Sequence, residues 1–204
     1  MIDKSIEYKS IIMRCDKVNS SAFCELSNDV EIQYYEQGME EIWIEIQKSV
    51  GEFENYSDAD IKDYFKDKFL SKTNELVKRC IFLKDLNSGF YVGTCCAWMG
   101  KKENEVVPVL HWLAVRDGFE NKRYARMLIT EIMKIFGNLD HEKSIYLHTQ
   151  PCSYKAIKLY SDFGFCISKH DNISAENEWD EALQILKIYM EPVLLREIQE
   201  SLVE

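Results

Sequence analysis

Apolar residues recur along this chain with two periods, and each change of period marks a new element. Glu7 to Cys15 alternates in the manner of a first strand, with charges that suit a sheet edge. From about Val30 to Val50 the apolar set Ile32, Tyr35, Met39, Ile42, Trp43, Ile46 and Val50 recurs at three and four. That spacing predicts a helix capped by Asn28-Asp29, with Glu31, Glu36, Glu40, Glu41 and Glu45 on its other face and Gly51 as its stop. Ser57-Asp58-Ala59-Asp60 caps a second helix whose buried side is Ile61, Tyr64, Phe65 and Phe69-Leu70. Cys80 to Leu86 and Phe90 to Met99 are apolar runs separated by Asn87-Ser88-Gly89, the pattern of an antiparallel hairpin.

After a polar loop, Lys101 to Asn104, the stretch from Val107 to Phe165 carries the most information. A strand runs to Val115, with Pro108 unable to donate at its own position. A polar, basic loop from Arg116 opens directly into an amphipathic helix that ends near Gly137 and shows Tyr124, Leu128, Ile132, Ile135 and Phe136 on one face from Asn121 onward. A strand from Ser144 to Thr149 and a helix from Ser153 to Asp162, stopped by Gly164, follow. Phe165 to His170 reads as a strand, Asp171 to Trp179 as a polar loop, and Trp179 to Met190 as a helix-to-strand finish. Pro192 to Val203 reads as a short amphipathic helix that covers its apolar stripe with its own domain or with a second copy. A loop feeding a helix presents backbone N–H groups without intrahelical partners at the positive end of the helix dipole, so an anionic ligand is expected there.

Composition narrows the class. At 204 residues the chain suits one well-buried α/β domain, residues 1–204, and 46% hydrophobic with 12% aromatic content excludes disorder. No apolar run reaches the roughly 18 residues a membrane span needs, and the start Met1 to Glu7 lacks a signal-peptide core. Seven cysteines without Cys-x-x-Cys spacing argue for reduced thiols and a cytoplasmic setting, and against a disulfide framework or a structural metal. A net charge of −10 argues against nucleic acid, yet Arg116 to Arg126 holds four basic residues against two acidic ones. A local basic patch in an acidic protein suits a small polyanion. Glu31 to Arg79 runs the other way, with 12 acidic and 7 basic residues, which is either a solvated face or a surface that attracts a cationic amine.

Two motifs carry a family resemblance. Glu120-Asn121-Lys122-Arg123-Tyr124-Ala125 falls in the register of Gln/Arg-x-x-Gly-x-Gly/Ala, with Glu120 in place of the basic or amide residue and Arg123 in place of the central glycine. Ser153-Tyr154-Lys155-Ala156-Ile157-Lys158-Leu159-Tyr160-Ser161-Asp162-Phe163-Gly164-Phe165 matches Asn-x-x-Ala-x-x-Leu-Tyr-x-x-x-Gly-Phe at every fixed position but the first. In this order and spacing they resemble the GNAT superfamily of acyl-CoA-dependent N-acetyltransferases over about residues 80–170, and Trp43 with Val50-Gly51-Glu52-Phe53 is similar to one branch of it. The resemblance implies a single mixed, mostly antiparallel sheet with helices on both faces, acetyl-CoA as cosubstrate, and direct acetyl transfer to a primary amine of a small molecule or peptide. It implies that Leu113, Ala114 and Val115 meet the pantetheine arm as the strand splays. Glu120, Asn121, Lys122, Arg123, Tyr124, Ala125 and Arg126 would then cradle the pyrophosphate, with Ser153, Ala156 and Tyr160 completing the cofactor side, while the helices after residue 30 border the acceptor.

Amide formation from a thioester needs a neutral amine, a polarised carbonyl and a proton for the departing thiolate. Tyr160 stands where the family places that acid. His111, on the strand feeding the loop, reads first as a hydrogen-bonded core histidine, and histidine's ordinary pKa also suits proton removal. Glu45, Glu52, His148 and ordered water remain alternatives for the base. Cys152 has no legible His/Asn partner to make it a nucleophile. A non-catalytic acyl-CoA sensor with a drifted loop is the alternative from another class.

Overall fold

In the computed structural model, which describes residues 5–139, 143–173 and 176–203, seven strands form one sheet flanked by helices. The strands are β1 (Ile11–Cys15), β2 (Val30–Tyr34), β3 (Cys80–Asp85), β4 (Tyr91–Lys102), β5 (Glu105–Val115), β6 (Ile145–Thr149) and β7 (Cys166–Ile167). The helices are α1 (Glu40–Ser49), α2 (Asp58–Lys68), α3 (Thr73–Arg79), α4 (Tyr124–Asn138), α5 (Tyr154–Asp162), α6 (Trp179–Tyr189) and α7 (Pro192–Glu200). Strand order is β2-β3-β4-β5-β6-β1-β7. The β5–β6 pair is parallel, while β2–β3, β3–β4, β1–β6 and β1–β7 are antiparallel, the mixed sheet expected above. The described residues pack as two compact units, one drawn from residues 24–97 and 112–135, the other from residues 5–23, 98–111 and the described part of 136–203. Of the segments read from sequence, residues 1–4 of the start and 174–175 of the loop before α6 lie outside the described residues. Among the described residues no helix is long and apolar enough to cross a membrane.

In the first unit, the helix expected from Val30 is a strand followed by a shorter helix. Val30 and Ile32 alternate with Glu31 and Gln33, and the five residues of β2 pair with β3 in the register Val30↔Asp85 to Tyr34↔Ile81. Gly38, at φ 98, breaks the chain direction before α1 starts, and Gly51, at φ 94, follows its end as expected. The cap on α2 is as read. Ser57 accepts from the Asp60 N–H and the Asp60 carboxylate accepts from the Ser57 N–H, a reciprocal capping box. Ile61, Phe65, Phe69 and Trp43 are fully buried together, with Trp43 edge-on to Phe65 and Phe69. Helix α3 was not anticipated. The β3–β4 hairpin forms with Gly89 at φ 75 in its turn.

In the second unit, β1 is not the edge strand its charges suggested. It lies between β6 and β7, and Ile11, Ile12 and Met13 are fully buried. The charge that misled, Arg14, is paired with Asp16 and with Asp171. Helix α6 runs through to Tyr189 without the strand finish expected, and the strand expected over Phe165 to His170 contracts to β7. The tail folds onto its own unit: Leu195 and Ile198 are buried, and Val203 bridges to Ser168.

The end of α5 explains the second motif. The Phe165 N–H bonds the Tyr160 carbonyl (3.2 Å) and the Gly164 N–H bonds the Ser161 carbonyl (3.0 Å), which is a Schellman stop with Gly164 at the left-handed position (φ 97). The apolar contact that accompanies such stops is Phe165 against Tyr160, ring centroids 6.2 Å apart. The stop is seated on the strand-exit backbone of β1: a Cβ on Gly164 would lie 2.5 Å from the Lys17 carbonyl oxygen. Gly164→Ala therefore combines a positive-φ cost with a backbone clash, and a loss of about 2–4 kcal/mol is expected. For a chain of this size that lowers Tm by roughly 5–10 °C in calorimetry. A shift of less than about 2 °C would show that the Lys17 segment yields freely.

Candidate functional site

The loop between β5 and α4 is built from backbone. Trp112 stands at φ 54, where β5 departs from regular alternation, and the Arg116 N–H ties the strand end to the Val92 carbonyl at 2.7 Å. Gly93 lets α4 lie close to β4, since a Cβ there would meet Leu128 Cδ1 at 2.8 Å and the Ala114 carbonyl at 3.0 Å. Gly118, Asn121 and Arg123 have φ of 85, 64 and 63. Two left-handed residues cannot lie inside a right-handed helix, so α4 starts at Tyr124 and not at Asn121 or Arg116. It also continues one residue past Gly137. The Met127 N–H bonds the Arg123 carbonyl at 3.0 Å, so the Tyr124 and Ala125 N–H groups have no carbonyl one turn back within the helix. Arg123, at the motif's glycine position, thus takes the backbone conformation a glycine would have supplied.

Side-chain charge contributes less than the sequence implied. Arg116 is engaged with Glu45 at 3.0 Å. Lys122 lies 3.9 Å from Asp85 and over the Phe119 ring, while Arg123 is exposed. The Glu120 carboxylate accepts the Gly118 N–H at 2.8 Å. Hydrogen bonds from the loop, its own N–H first, hold its carboxyl below the usual range. An internal anion therefore occupies part of the loop's donor set.

Asp85, at the end of β3, was missed by sequence reasoning. Its Oδ1 accepts from the Asn87 and Ser88 N–H groups and the Ser88 hydroxyl, and its Oδ2 accepts from the Tyr124 hydroxyl at 2.7 Å. These donors, Ser88 N–H foremost and then Tyr124, pull the Asp85 pKa down to about 2. Burial, then Asp85 itself, pushes Tyr124 up to about 12. The pair stays carboxylate and phenol throughout the neutral range. The local signal was legible in Asp85-x-x-Ser88, an Asx-type turn; its partner 39 residues on was not.

The first unit also gathers aromatic rings. Trp112 is edge-on to Trp43 (5.3 Å), stacked on Phe53 (5.3 Å) and edge-on to Tyr64 (5.8 Å), and its carbonyl accepts from Gln47 Nε2. Burial raises the Tyr64 pKa, with Glu52 nearby adding to the shift. Much of the acidic run is a solvated face: Glu36, Glu41, Glu45, Asp58 and Asp63 are exposed, and Glu41 pairs with Lys62.

In the second unit, Tyr160 is 8% exposed on α5, its ring set by Phe165. Ser153 and Ala156 are half-buried at the start of the same helix, and His111 is half-buried on β5. His148 is exposed along one edge, but its Nε2 lies 3.0 Å from the Ser10 hydroxyl and 3.2 Å from that of Tyr8, and burial lowers its pKa. Cys152 is half-buried. Of the residues singled out from sequence, Leu113, Ala114, Val115 and Glu120 to Arg126 come together on one strand-loop-helix segment of the first unit; His111, Ser153, Ala156 and Tyr160 belong to the second. All seven cysteines are free thiols. Among the described residues no cluster of three His, Cys, Asp or Glu side chains is placed to hold a metal ion.

The sequence model of the Acetyltransferase (GNAT) family matches residues 37–165. No curated protein matches the chain. Solved structures do. A GCN5-related N-acetyltransferase from Sphaerobacter thermophilus superposes with a TM-score of 0.61 at 16% identity, over 82% of this chain and 50% of that one, so the present chain spans half that protein's length. PH1933 from Pyrococcus horikoshii gives 0.51 at 19% identity over 65% of this chain and 85% of its own. The NatC complex bound to Gag peptide and CoA gives 0.50 at 19% identity over 65% and 82%. Likeness at such identities speaks to the fold.

Because the loop conformation resides in the backbone, Arg123→Gly should keep or improve affinity for acetyl-CoA, the ligand expected from the sequence. Glycine takes φ 63 without strain, and its extra unfolded-state entropy offsets that gain to within about 1 kcal/mol of folding stability. Glu120→Gln should tighten acetyl-CoA about three- to tenfold, since one like charge near the phosphates is worth roughly 1 kcal/mol. Calorimetric titration checks both. A tenfold loss in Arg123→Gly would instead make the guanidinium a phosphate ligand.

Proposed function

The chain belongs to the GNAT acetyltransferase family, and from that premise we propose that it is an acetyl-CoA-dependent N-acetyltransferase, one catalytic domain that moves the acetyl group directly to a primary amine of a small molecule or peptide. The observation that carries this reading is the backbone at Arg123. Arg123 stands where the motif has its glycine, its φ is 63, a value glycine adopts freely, and α4 starts directly behind it, which supports reading the loop as an anion site.

In this reading the loop from Glu120 to Arg126 holds the pyrophosphate through the N–H groups at the start of α4, and the backbone of Leu113, Ala114 and Val115 holds the pantetheine arm. Ser153 and Ala156 flank the thioester end. The amine, neutral when it attacks, adds to the thioester carbonyl; the tetrahedral intermediate then collapses with cleavage of the C–S bond. Tyr160 donates its phenolic proton to the departing thiolate, and the proton lost by the amine restores the phenol by way of solvent. No covalent acyl-enzyme is needed. His111 is the first candidate to take the amine's proton, with Glu52, His148 and ordered water as alternatives. Glu45, a further alternative, is already engaged with Arg116. Exposed carboxylates on α1 and α2 favour a cationic acceptor through long-range attraction. CoA and a peptide are the ligands of one solved relative, the NatC complex. Free, buried thiols at Cys15, Cys80, Cys95 and Cys96 support a cytoplasmic setting.

One observation favours a second reading. Glu120 on the Gly118 N–H lowers the loop's appetite for anions, as expected of a sensor that binds acyl-CoA without turnover. Thiol release against a panel of amines separates the two: an enzyme turns over with at least one, whereas a sensor shows only an acetyl-CoA-dependent rise in Tm.

Tyr160→Phe is the sharpest test of mechanism. The ring keeps its contact with Phe165, so stability should fall by no more than about 1 kcal/mol. Turnover should fall on the order of 100- to 10,000-fold with acetyl-CoA affinity unchanged, because the proton is needed only as the thiolate departs. Turnover within about threefold of wild type would remove Tyr160 from the chemistry.

A further inference from the structure

A carboxylate that is only 2% exposed must have its lone pairs satisfied or it destabilises the fold, and Asp85 meets that demand twice over. Its Oδ1 alone takes the hairpin turn, with the Asn87 N–H at 3.1 Å, the Ser88 N–H at 2.8 Å and the Ser88 hydroxyl at 3.0 Å. The turn is further closed by the Gly89 N–H on the Asp85 carbonyl at 2.8 Å. Nothing in the hairpin needs Oδ2. That oxygen turns instead to the start of α4, where it accepts from the Tyr124 hydroxyl at 2.7 Å and faces Lys122 Nζ at 3.9 Å.

Lys122 and Tyr124 are the two chain neighbours of Arg123. One carboxylate oxygen therefore bonds Tyr124 and faces Lys122, the residues on either side of a non-glycine residue at φ 63. Such a conformation persists only where its surroundings over-determine it. The Lys122 contact by itself is long and half-exposed, and would contribute little. The Tyr124 bond is short, buried and charge-assisted, and it fixes the first helical residue, from which the direction of the following N–H groups is set.

We propose that Asp85 is a positioning residue for the acyl-CoA loop: through its bond to Tyr124 it fixes the residue that follows Arg123 and maintains the left-handed backbone that aims the loop's N–H groups at an anion. The clamp replaces by side-chain contact what a glycine would have supplied by conformational freedom. It rests on the reading of this loop as the pyrophosphate site, though the clamp itself is a property of the free protein.

Two variants test it. Tyr124→Phe removes a single hydroxyl, and Asp85→Asn keeps shape while removing the charge; the first guards against a folding failure in the second. In the free protein, amide hydrogen exchange at Met127, whose N–H bonds the Arg123 carbonyl, should accelerate about tenfold or more in both, while exchange in β3 and β4 of Tyr124→Phe stays as in wild type. The KM for acetyl-CoA should rise about tenfold in Tyr124→Phe, with kcat at saturating acetyl-CoA within about twofold, since the clamp acts on binding and not on the departing thiolate. Placing Arg123→Gly in the Tyr124→Phe background should shrink that KM penalty to about threefold or less, because glycine holds the same φ unaided. Unchanged exchange at Met127 in Tyr124→Phe, or a KM penalty as large in the glycine background as without it, overturns the clamp. If wild-type protein fails to bind acetyl-CoA at all, the pyrophosphate reading falls, and the exchange measurement still decides whether Asp85 sets the loop.

Discussion

Arg123 occupies a region of backbone space that L-residues enter reluctantly, and the geometry of the loop and the first turn of α4 follows from its staying there. If φ at that position relaxed to negative values, the chain would reach Tyr124 from another direction and the N–H groups at the helix start would no longer converge. The proposed anion site is thus a matter of main-chain shape. This explains how the loop tolerates Glu120 and Arg123 where the family pattern has a cation or amide and a glycine. It also explains why the basic excess matters less than its count implies: Arg116 is committed to Glu45, and Lys122 lies beside Asp85.

The second unit solves a related problem with a different device. In the proposed reaction Tyr160 needs one orientation to serve as a proton donor, and the helix that carries it ends in a stop whose own apolar contact is the Tyr160 ring against Phe165. Tyr160, Gly164 and Phe165 read in sequence as three separate motif letters. In the structure they are one capping unit, locked further by the close approach of the Lys17 carbonyl to Gly164. The family pattern of α5 is as much a helix terminus as a catalytic signature.

Legibility of the sequence followed the range of the interactions. The Ser57 cap, the turn at Gly89, the amphipathic faces of α2 and α4 and the stop at Gly164 are decided within a few residues, and each could be read. Val30 to Tyr34 could not, because Ile32, Tyr35 and Met39 also fit a helical period, and only pairing with β3, some fifty residues on, selects the strand. Likewise Arg14 marked β1 as an edge only until Asp171 supplied its partner. Motif spacing marked the loop, Ser153, Ala156 and Tyr160 as candidates. Motif spacing could not disclose Asp85, whose function lies in a bond to Tyr124, or the carboxylate of Glu120 turned back on Gly118.

The central claim is that main-chain donors at the start of α4 bind the pyrophosphate of acetyl-CoA. Calorimetric titration with acetyl-CoA and with acetyl-pantetheine, which shares the thioester arm but has no pyrophosphate, tests it most directly. Acetyl-CoA should bind in the micromolar range and weaken as salt is raised, while acetyl-pantetheine should bind on the order of 100-fold more weakly with little salt dependence. Equal affinity for the two ligands, or no binding of acetyl-CoA at millimolar concentration, would contradict the account.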